Sequence, residues 1–194
     1  MTRHRRRHGF REPKTFFVIA TEGSRTEEIY FEALKPPRSS QIQIKILPSS
    51  GGDNDPLKVL KRLKAYASKN ALTPQDELWL VVDRDRRQEE DLKKVSDWTA
   101  HSKNRGLTVS NPCFELWLVL HFRDCTAHAP AALQNILKSE LEAYSKSEYD
   151  ARALHPNVDE AIERAERMDV APADPWPRQP GTRVYQLVKR LIQT

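Results

Sequence analysis

The sequence predicts an α/β domain with a mainly parallel, doubly wound, four-stranded sheet, flanked by helices and followed by a helical C-terminal extension. Two observations predict this fold. Segments with strand character alternate with segments of helical periodicity over the first half of the chain. After the fourth strand, only helical patterns and a proline-rich loop follow. A length of 194 residues suits one such domain.

The first unit is a strand, a turn and a helix. Residues 15–20 are β-branched, aromatic or small and contain no turn former, which favours a strand. Gly23 marks its exit. The helix that follows carries its apolar residues at helical spacing, namely Ile29, Tyr30, Ala33 and Leu34. The prolines of "KPPRSS" then end this helix, because proline cannot continue it.

The second and third units repeat this order. The stretch "QIQIKILPS" alternates apolar and polar residues, which indicates a strand with one wet face near a sheet edge. Pro56 suits the first position of the next helix. The third strand, "DELWLVVDRD", is continuously apolar before its final charges, as in strands that are buried on both faces.

The fourth strand is "LTVSN", and a short apolar helix beginning at Pro112 follows it. Further helical patterns occupy residues from about 125 to 194, interrupted by the proline-rich segment "APADPWPRQPGTR". We therefore expect a single domain over residues 15–194, preceded by a flexible basic arm over residues 1–14. The arm either contacts nucleic acid or another acidic surface, or serves as a solubilising tail.

Composition limits the function classes. The net charge of +5 and the pI near 9.2 are compatible with a polyanionic partner. No apolar run approaches the ~20 residues that a membrane helix needs, so we expect no membrane association. The two cysteines, Cys113 and Cys125, form no metal-binding pattern, and a reduced cytoplasmic location is the simple expectation.

Carboxylates follow two of the predicted strands. Glu22 comes directly after the first strand, and Asp83 and Asp85 come at the end of the third. The carboxyl ends of parallel strands share one edge of a sheet, where ligands bind. Hard oxygen ligands at this density suit Mg²⁺ or Mn²⁺, and the D-x-D spacing lets both aspartates point the same way. The alternative is that these acids only form turns and helix caps.

Other polar residues would surround this site. Glu27, Asn111 and Glu115 are candidates for a second shell, although Glu27 in the first turn of a helix also favours the helix dipole. A buried Glu115 needs a partner, which a metal or Arg25 would provide. The arginines that could grip phosphate, or only balance charge, are Arg25, Arg84 and Arg86.

Four segments together resemble the RloB-like family: "EGSRTEEIYFEAL", "LVVDRDR", "SNPCFELWLVLHF" and "PGTRVYQLVKRL". The similarity extends over residues 15–192. The resemblance implies a relationship to the Toprim fold, in which a glutamate after the first strand and a D-x-D after the third hold Mg²⁺. It also implies that the glutamate takes part in proton transfer, that a separate ATPase subunit is a partner, and that the protein serves restriction or abortive defence against phage.

We therefore expect a nuclease that depends on Mg²⁺ or Mn²⁺ and cleaves RNA or DNA, with Glu22, Asp83 and Asp85 as catalytic metal ligands. The alternative is a non-catalytic module that binds nucleic acid or the ATPase. A receiver-like phospho-acceptor domain also clusters acids at strand ends, but it requires a lysine after a fifth strand, which the sequence does not place. A homo-oligomer is left open, since "ELWLVLHF" and the last helix could form an interface.

Overall fold

A computed structural model describes residues 14–23, 25–36, 41–49, 55–84, 89–127 and 129–192. Of the predicted basic arm, only Lys14 is among them. The predicted site residues Asp85 and Arg86 also lie outside the described residues.

The main elements alternate as the sequence predicts. The strands are β1 (Thr15–Thr21), β2 (Ile42–Leu47), β3 (Glu77–Asp83), β4 (Arg105–Asn111) and β5 (Gly181–Thr182). The α-helices are α1 (Thr26–Ala33), α2 (Pro56–Lys69), α3 (Glu89–Ala100), α4 (Glu115–Leu120), α5 (Pro130–Glu140), α6 (Val158–Met168) and α7 (Val184–Ile192). A 3₁₀ helix, Ala151–Asn157, precedes α6.

The sheet has the order β2-β1-β3-β4-β5. Strands β1 to β4 are parallel, which confirms the mainly parallel α/β prediction. The predicted number of strands was wrong, because β5 adds an antiparallel fifth strand against the end of β4. Two residues are too few to produce a periodic pattern, and the proline-rich sequence around them reads as a loop. A receiver-like domain requires a lysine after a fifth strand, and Arg183 follows β5 instead. The fifth strand therefore does not support that alternative.

Helices cover both faces of the sheet because successive strand residues point to opposite sides. Phe17 and Ile19 of β1 belong to the core beneath α1 and the C-terminal helices α4 to α7. Val18 and Ala20 belong to a second core beneath α2 and α3. The chain leaves β1 for β2 on one side and returns to β3 on the other. This reversal of strand order makes the β1/β3 boundary the switch point, the usual ligand position in open α/β sheets.

The apolar helix α4 lies in the core. It begins at Glu115 and not at Pro112, as the sequence suggested, and all of its residues are buried within the chain. The "ELWLVLHF" segment is therefore unavailable as the interface considered above. Tyr30 of α1 meets the rings of Phe114 and Trp117 edge to face, at centroid separations of 5.7 and 6.1 Å.

In the described ranges, no helix combines the length and the apolar character needed to cross a membrane. Cys113 and Cys125 are both buried and are not joined in a disulfide.

His121, just after α4, is held as a neutral ring. Its Nδ1 lies 3.0 Å from the Trp117 carbonyl oxygen, and its Nε2 lies 3.2 Å from the Tyr30 hydroxyl. The carbonyl can only accept, so Nδ1 carries the hydrogen and the tyrosine hydroxyl donates to Nε2. Burial, aided by the positive charge of Arg164 and by His155, lowers the pKa of His121 to about 4.

We expect this histidine to make the protein less stable as the pH falls from about 6.5 to about 4. The unfolded chain binds the proton in that window and the folded chain does not, so protonation favours unfolding. A pKa lowered from 6.5 to about 4 corresponds to about 3 kcal/mol. The measurement is the free energy of unfolding by urea at several pH values for wild type and His121→Gln.

Buried acids change the stability in the opposite direction over the same pH range. The effect of His121 must therefore be taken from the difference between wild type and His121→Gln. A carboxyl whose pKa is raised, such as Glu27, stabilises the folded state at low pH and loses that effect as the pH rises. The free energy of unfolding of wild type minus that of His121→Gln should therefore increase with pH. Parallel curves for the two proteins would contradict the prediction.

Candidate functional site

The site begins where β1 and β3 end, at the switch point of the sheet. Glu22 follows β1 and is buried, and Asp83 is the last residue of β3. The Glu22 backbone N–H donates to the Val81 carbonyl oxygen at 2.9 Å. The Asp83 backbone N–H donates to Glu22 Oε2 at 3.0 Å. These two hydrogen bonds hold two of the three predicted metal ligands beside each other.

Glu27 adds a third carboxylate from the first turn of α1. Its side chain is buried, and Oε1 accepts the backbone N–H of Gly23 at 3.0 Å. A Cβ at position 23 would lie 1.9 Å from Glu27 Oε2, so only glycine leaves room for the carboxylate against this loop. Glu27 is thus part of the acidic group and does more than favour the helix dipole.

Glu115 adds a fourth carboxylate, from the first turn of α4. Its side chain is only 3% exposed, and it pairs with the 56% exposed Lys146 at 2.7 Å. The sequence suggested a metal or Arg25 as the partner of this buried acid. Arg25 instead pairs with Glu28 at 3.2 Å on the surface of α1.

Lys146 is a site residue that sequence reasoning missed. It lies between α5 and the 3₁₀ helix, and its backbone carbonyl oxygen accepts the Thr26 hydroxyl at 2.8 Å. That bond fixes the C-terminal extension to the start of α1. No periodic pattern or motif surrounds Lys146 in the sequence, so only the fold brings it to Glu115.

The electrostatics show that the carboxylates influence one another. Burial raises the pKa of Asp83 well above its usual range, and the charges of Glu27, Glu22 and Glu115 add to the effect, while Lys146 opposes it. Burial also raises the pKa of Glu27 to about 7, although its backbone hydrogen bonds oppose the shift. Burial and the mutual repulsion of the carboxylates therefore both disfavour the charged forms of Asp83 and Glu27.

The described residues supply carboxylate oxygens, the type of ligand that a divalent cation needs, but they do not form a complete coordination sphere. Among them, no group of three or more histidine, cysteine, aspartate or glutamate side chains is placed to hold a metal ion. Oxygens of three of the acids already have partners within the protein: the Asp83 N–H, the Gly23 N–H and the Lys146 ammonium. Asp85, the second member of the D-x-D pair, is outside the described ranges. Carboxylate oxygens in this number match Mg²⁺ or Mn²⁺ in kind.

Arg84 follows Asp83 but is turned toward the proline-rich segment. Its Nη1 donates to the Arg178 carbonyl oxygen at 2.5 Å, and its Nη2 lies 3.3 Å from Glu89 Oε1. Asn111 acts similarly at the end of β4, where its amide donates to the carbonyl oxygens of Gln179 at 2.9 Å and Pro177 at 3.3 Å. Both side chains fasten the segment before β5 to the sheet.

The fold and the site define an α/β protein with a mostly parallel sheet and buried acids at its switch point. The chain belongs to the RloB-like protein family, whose model matches residues 17–191. Neither the curated proteins nor the solved structures contain a match to it.

Proposed function

We propose that the protein is a phosphodiester hydrolase acting on nucleic acid, with Glu22, Asp83 and Asp85 as ligands of Mg²⁺ or Mn²⁺. The observation that carries the proposal is the grouping of four carboxylates near the switch point, with Glu22, Glu27 and Glu115 buried and Asp83 half-buried. Like charges in such a place are costly unless a cation balances them. Titratable groups with strongly perturbed pKa values cluster at functional sites.

Each residue of the acidic site has a separate role in the proposed hydrolysis. A bound divalent cation would supply Lewis acidity and a water that is deprotonated near neutral pH. Asp83 and Glu22 would provide it with carboxylate oxygens. The hydrogen bond from the Asp83 backbone N–H to Glu22 Oε2 fixes the orientation of the Glu22 side chain. By analogy with the resemblance described above, Glu22 also takes part in proton transfer. Lys146 keeps Glu115 paired and places a positive charge near the acids.

The substrate contacts follow from which arginines the fold leaves available. Arg84 donates to the carbonyl oxygen of Arg178, so its guanidinium is less available to a substrate. Arg25 is exposed at the start of α1 and its ion pair with Glu28 is at the surface, so it is the stronger candidate for contact with phosphate. Arg86 stays a prediction.

The finer fold assignment is Toprim-like. The parallel strands β1 to β4 with an acid after β1 and another at the end of β3 support it. A separate ATPase subunit, a role in defence against phage and a cytoplasmic location are predictions that come from the resemblance and the composition.

The test compares wild type with the Asp83→Ala, Asp85→Ala double variant on plasmid DNA, transfer RNA and total RNA. Wild type should cleave at least one of them with Mn²⁺ or Mg²⁺ and none in EDTA. The double variant should cleave none. A matched control, Asp91→Ala with Asp97→Ala, removes two aspartates from the outer surface of α3 and should behave as wild type. Equal cleavage patterns for wild type and the double variant would sink the proposal.

A second candidate is a non-catalytic module that binds nucleic acid or an ATPase. It is favoured by one observation: three of the four carboxylates accept an internal hydrogen bond or form an ion pair, and in the described ranges no group of three or more is placed to hold a metal ion. The discriminating measurement is the melting temperature with and without Mn²⁺. If Mn²⁺ leaves it unchanged while nucleic-acid binding is strong and salt-sensitive, the binding module is the correct reading. Removal of residues 1–13 should then abolish the binding.

A further inference from the structure

We propose that Arg84 and Asn111 are positioning residues of the acidic site that act through the proline-rich segment, residues 171–180, which we call the strap. The strap holds the ends of β3 and β4 from the face of the sheet opposite to the acids. Arg84 then keeps Asp83 in place and does not contact the phosphate of a substrate. The inference rests on the proposed function for the role of Asp83, but the position of Asp83 can be tested separately.

Asp83 and Arg84 point to opposite faces of the sheet, because successive strand residues alternate between the two faces. Val81 belongs to the core beneath α1 and α4 to α7, and Asp83, two residues later, continues on that face with the buried acids. Val82 belongs to the core beneath α2 and α3, and Arg84 continues on that second face. Arg84 therefore leaves the sheet on the side away from the acidic group.

Asn111, at the end of β4, lies on the same face as Arg84. Val109, two residues earlier, belongs to the core beneath α2 and α3. Trp176 of the strap is 2% exposed and belongs to the same core. The strap is therefore anchored on this face, whereas Glu115 of α4 lies on the other.

The side chains of Arg84 and Asn111 both donate to backbone carbonyl groups of the strap. Arg84 Nη1 lies 2.5 Å from the Arg178 carbonyl oxygen, and the Asn111 amide nitrogen lies 2.9 Å from that of Gln179. The Pro177 carbonyl oxygen accepts from both side chains, at 3.4 and 3.3 Å. Three consecutive carbonyl groups of the strap thus connect the end of β3 to the end of β4.

The strap has its own attachment at its base. Arg183, just after β5, forms a buried ion pair with Asp169, which precedes the strap; the N–O distance is 2.9 Å. The same guanidinium donates to the carbonyl oxygens of Ala171 at 2.9 Å and Asp174 at 2.5 Å. Because these bonds and the buried Trp176 hold the strap without Arg84, it can serve as a fixed anchor for the strand ends.

The end of β3 needs such an anchor because the acids repel one another. Three neighbouring carboxylates disfavour the charged form of Asp83. The pairing of β1 with β3 ends at Val81, so the last residues of β3 are paired with β4. There the Arg84 N–H donates to the Ser110 carbonyl oxygen at 2.8 Å. The Arg84 side chain adds a second attachment at the same point, which opposes displacement of Asp83.

The geometry of the Arg84 side chain separates positioning from phosphate contact. Its guanidinium donates in two directions, to the strap through Nη1 and to Glu89 through Nη2 at 3.3 Å. A lysine keeps the positive charge but cannot reproduce this planar fork. Arg84→Lys should therefore impair a positioning residue and spare a residue that only supplies charge to a phosphate.

The first measurement is amide hydrogen exchange by NMR in EDTA, which reports on Asp83 without metal or catalysis. The Asp83 N–H donates to Glu22 Oε2, and the Arg84 N–H donates to the Ser110 carbonyl oxygen. In Arg84→Lys and in Asn111→Ala, we expect both amides to exchange about tenfold faster than in wild type, the effect of losing one hydrogen bond. Amides in the middle of β3 should keep their rates.

Arg164→Lys is the matched control. Arg164 Nη1 donates to the Leu120 carbonyl oxygen at 2.6 Å, at the end of α4 that is remote from Glu115. The substitution removes a bond of the same kind without touching the strap, so exchange at Asp83 and Arg84 should stay as in wild type. Asn111→Ala changes no charge and lies on another strand, so it tests the strap even if an Arg84 variant does not fold.

The second measurement compares Mn²⁺ affinity by calorimetry with oligonucleotide binding in EDTA. Arg84→Lys and Asn111→Ala should lose about 10-fold or more in Mn²⁺ affinity, the usual effect of removing a group that orients a metal ligand. Their oligonucleotide affinity and its salt dependence should match wild type. A phosphate contact predicts the reverse: Arg84→Lys would behave as wild type, and Arg84→Gln would bind oligonucleotides with a salt slope shallower by about 1.

Wild-type exchange at Asp83 in both Arg84→Lys and Asn111→Ala would overturn the inference, and so would the phosphate-contact pattern. If wild type binds no Mn²⁺ and cleaves no nucleic acid, the hydrolase is rejected, while the exchange rates still decide whether the strap positions Asp83. If wild type cleaves and exchange in the variants is unchanged, the hydrolase stands and the role of the strap is rejected.

Discussion

Replacing Asp83 with asparagine should abolish the proposed metal-dependent cleavage and, at the same time, raise the melting temperature of the metal-free protein. The amide keeps the size of the side chain but removes a negative charge that burial, Glu27, Glu22 and Glu115 all disfavour. Metal ions contribute several kcal/mol of charge stabilisation in the transition state, so we expect a loss of ~10³-fold or more in rate. The melting temperature in EDTA should rise by at least ~2 °C, the shift that ~1 kcal/mol produces in a chain of this size.

Two measurements separate this prediction from simple damage to the fold. Addition of Mn²⁺ should raise the melting temperature of wild type and leave that of Asp83→Asn unchanged. The control is Asp97→Asn, which removes a charge from the outer surface of α3 and should change neither activity nor the response to Mn²⁺. An Asp83→Asn protein that is less stable in EDTA than wild type would contradict the electrostatic picture of the site.

The second large effect is expected at the pair of Lys146 and Glu115. Lys146→Met leaves the 3% exposed Glu115 carboxylate without its partner, and the neighbouring acids lose a nearby positive charge. Full breakage of a buried ion pair costs about 3–5 kcal/mol. Because Lys146 itself is more than half exposed, we expect a smaller loss of about 1–3 kcal/mol in the free energy of unfolding.

A double-mutant cycle tests this pair. Combining Lys146→Met with Glu115→Gln should recover most of the lost stability, because the glutamine carries no charge to compensate. Urea unfolding of wild type, both single variants and the double variant gives the coupling energy. Additive effects would mean that the pair is only a surface contact. Lys93→Met, which breaks an exposed ion pair on α3, should cost at most about 0.5 kcal/mol and serves as the control.

Much of the fold could be predicted because its strands have contrasting patterns. The alternation in β2 places Ile42, Ile44 and Ile46 on the buried side of an edge strand, as predicted. The continuous apolar run of β3 places it between two neighbours in the sheet. The acids could be located for the same reason, since a parallel strand fixes which end of the sheet its last residue reaches. Glu22 and Asp83 are adjacent as a consequence of topology alone.

The rest depends on contacts between distant parts of the chain. Lys146 reaches Glu115 from a turn whose backbone accepts a hydrogen bond from the Thr26 hydroxyl. Arg84 and Asn111 resembled site residues in the sequence, yet the carbonyl groups of the proline-rich segment occupy them. An arginine beside an aspartate has the same local pattern whether it binds phosphate or backbone. The short β5 strand escaped prediction because its pairing involves only two positions of β4.

The hydrogen bond from the Asp83 backbone to Glu22 makes the site depend on the alignment of two strands. In the native register, Thr21 lies opposite Val81, and this places the Glu22 carboxylate within reach of the next peptide of β3. A shift of one residue would turn the side chains of β1 to the other face of the sheet. The packing of the apolar core and the arrangement of the acidic group would then both be lost. A misaligned molecule would therefore be unstable as well as inactive, so the cell would not accumulate a folded but defective form.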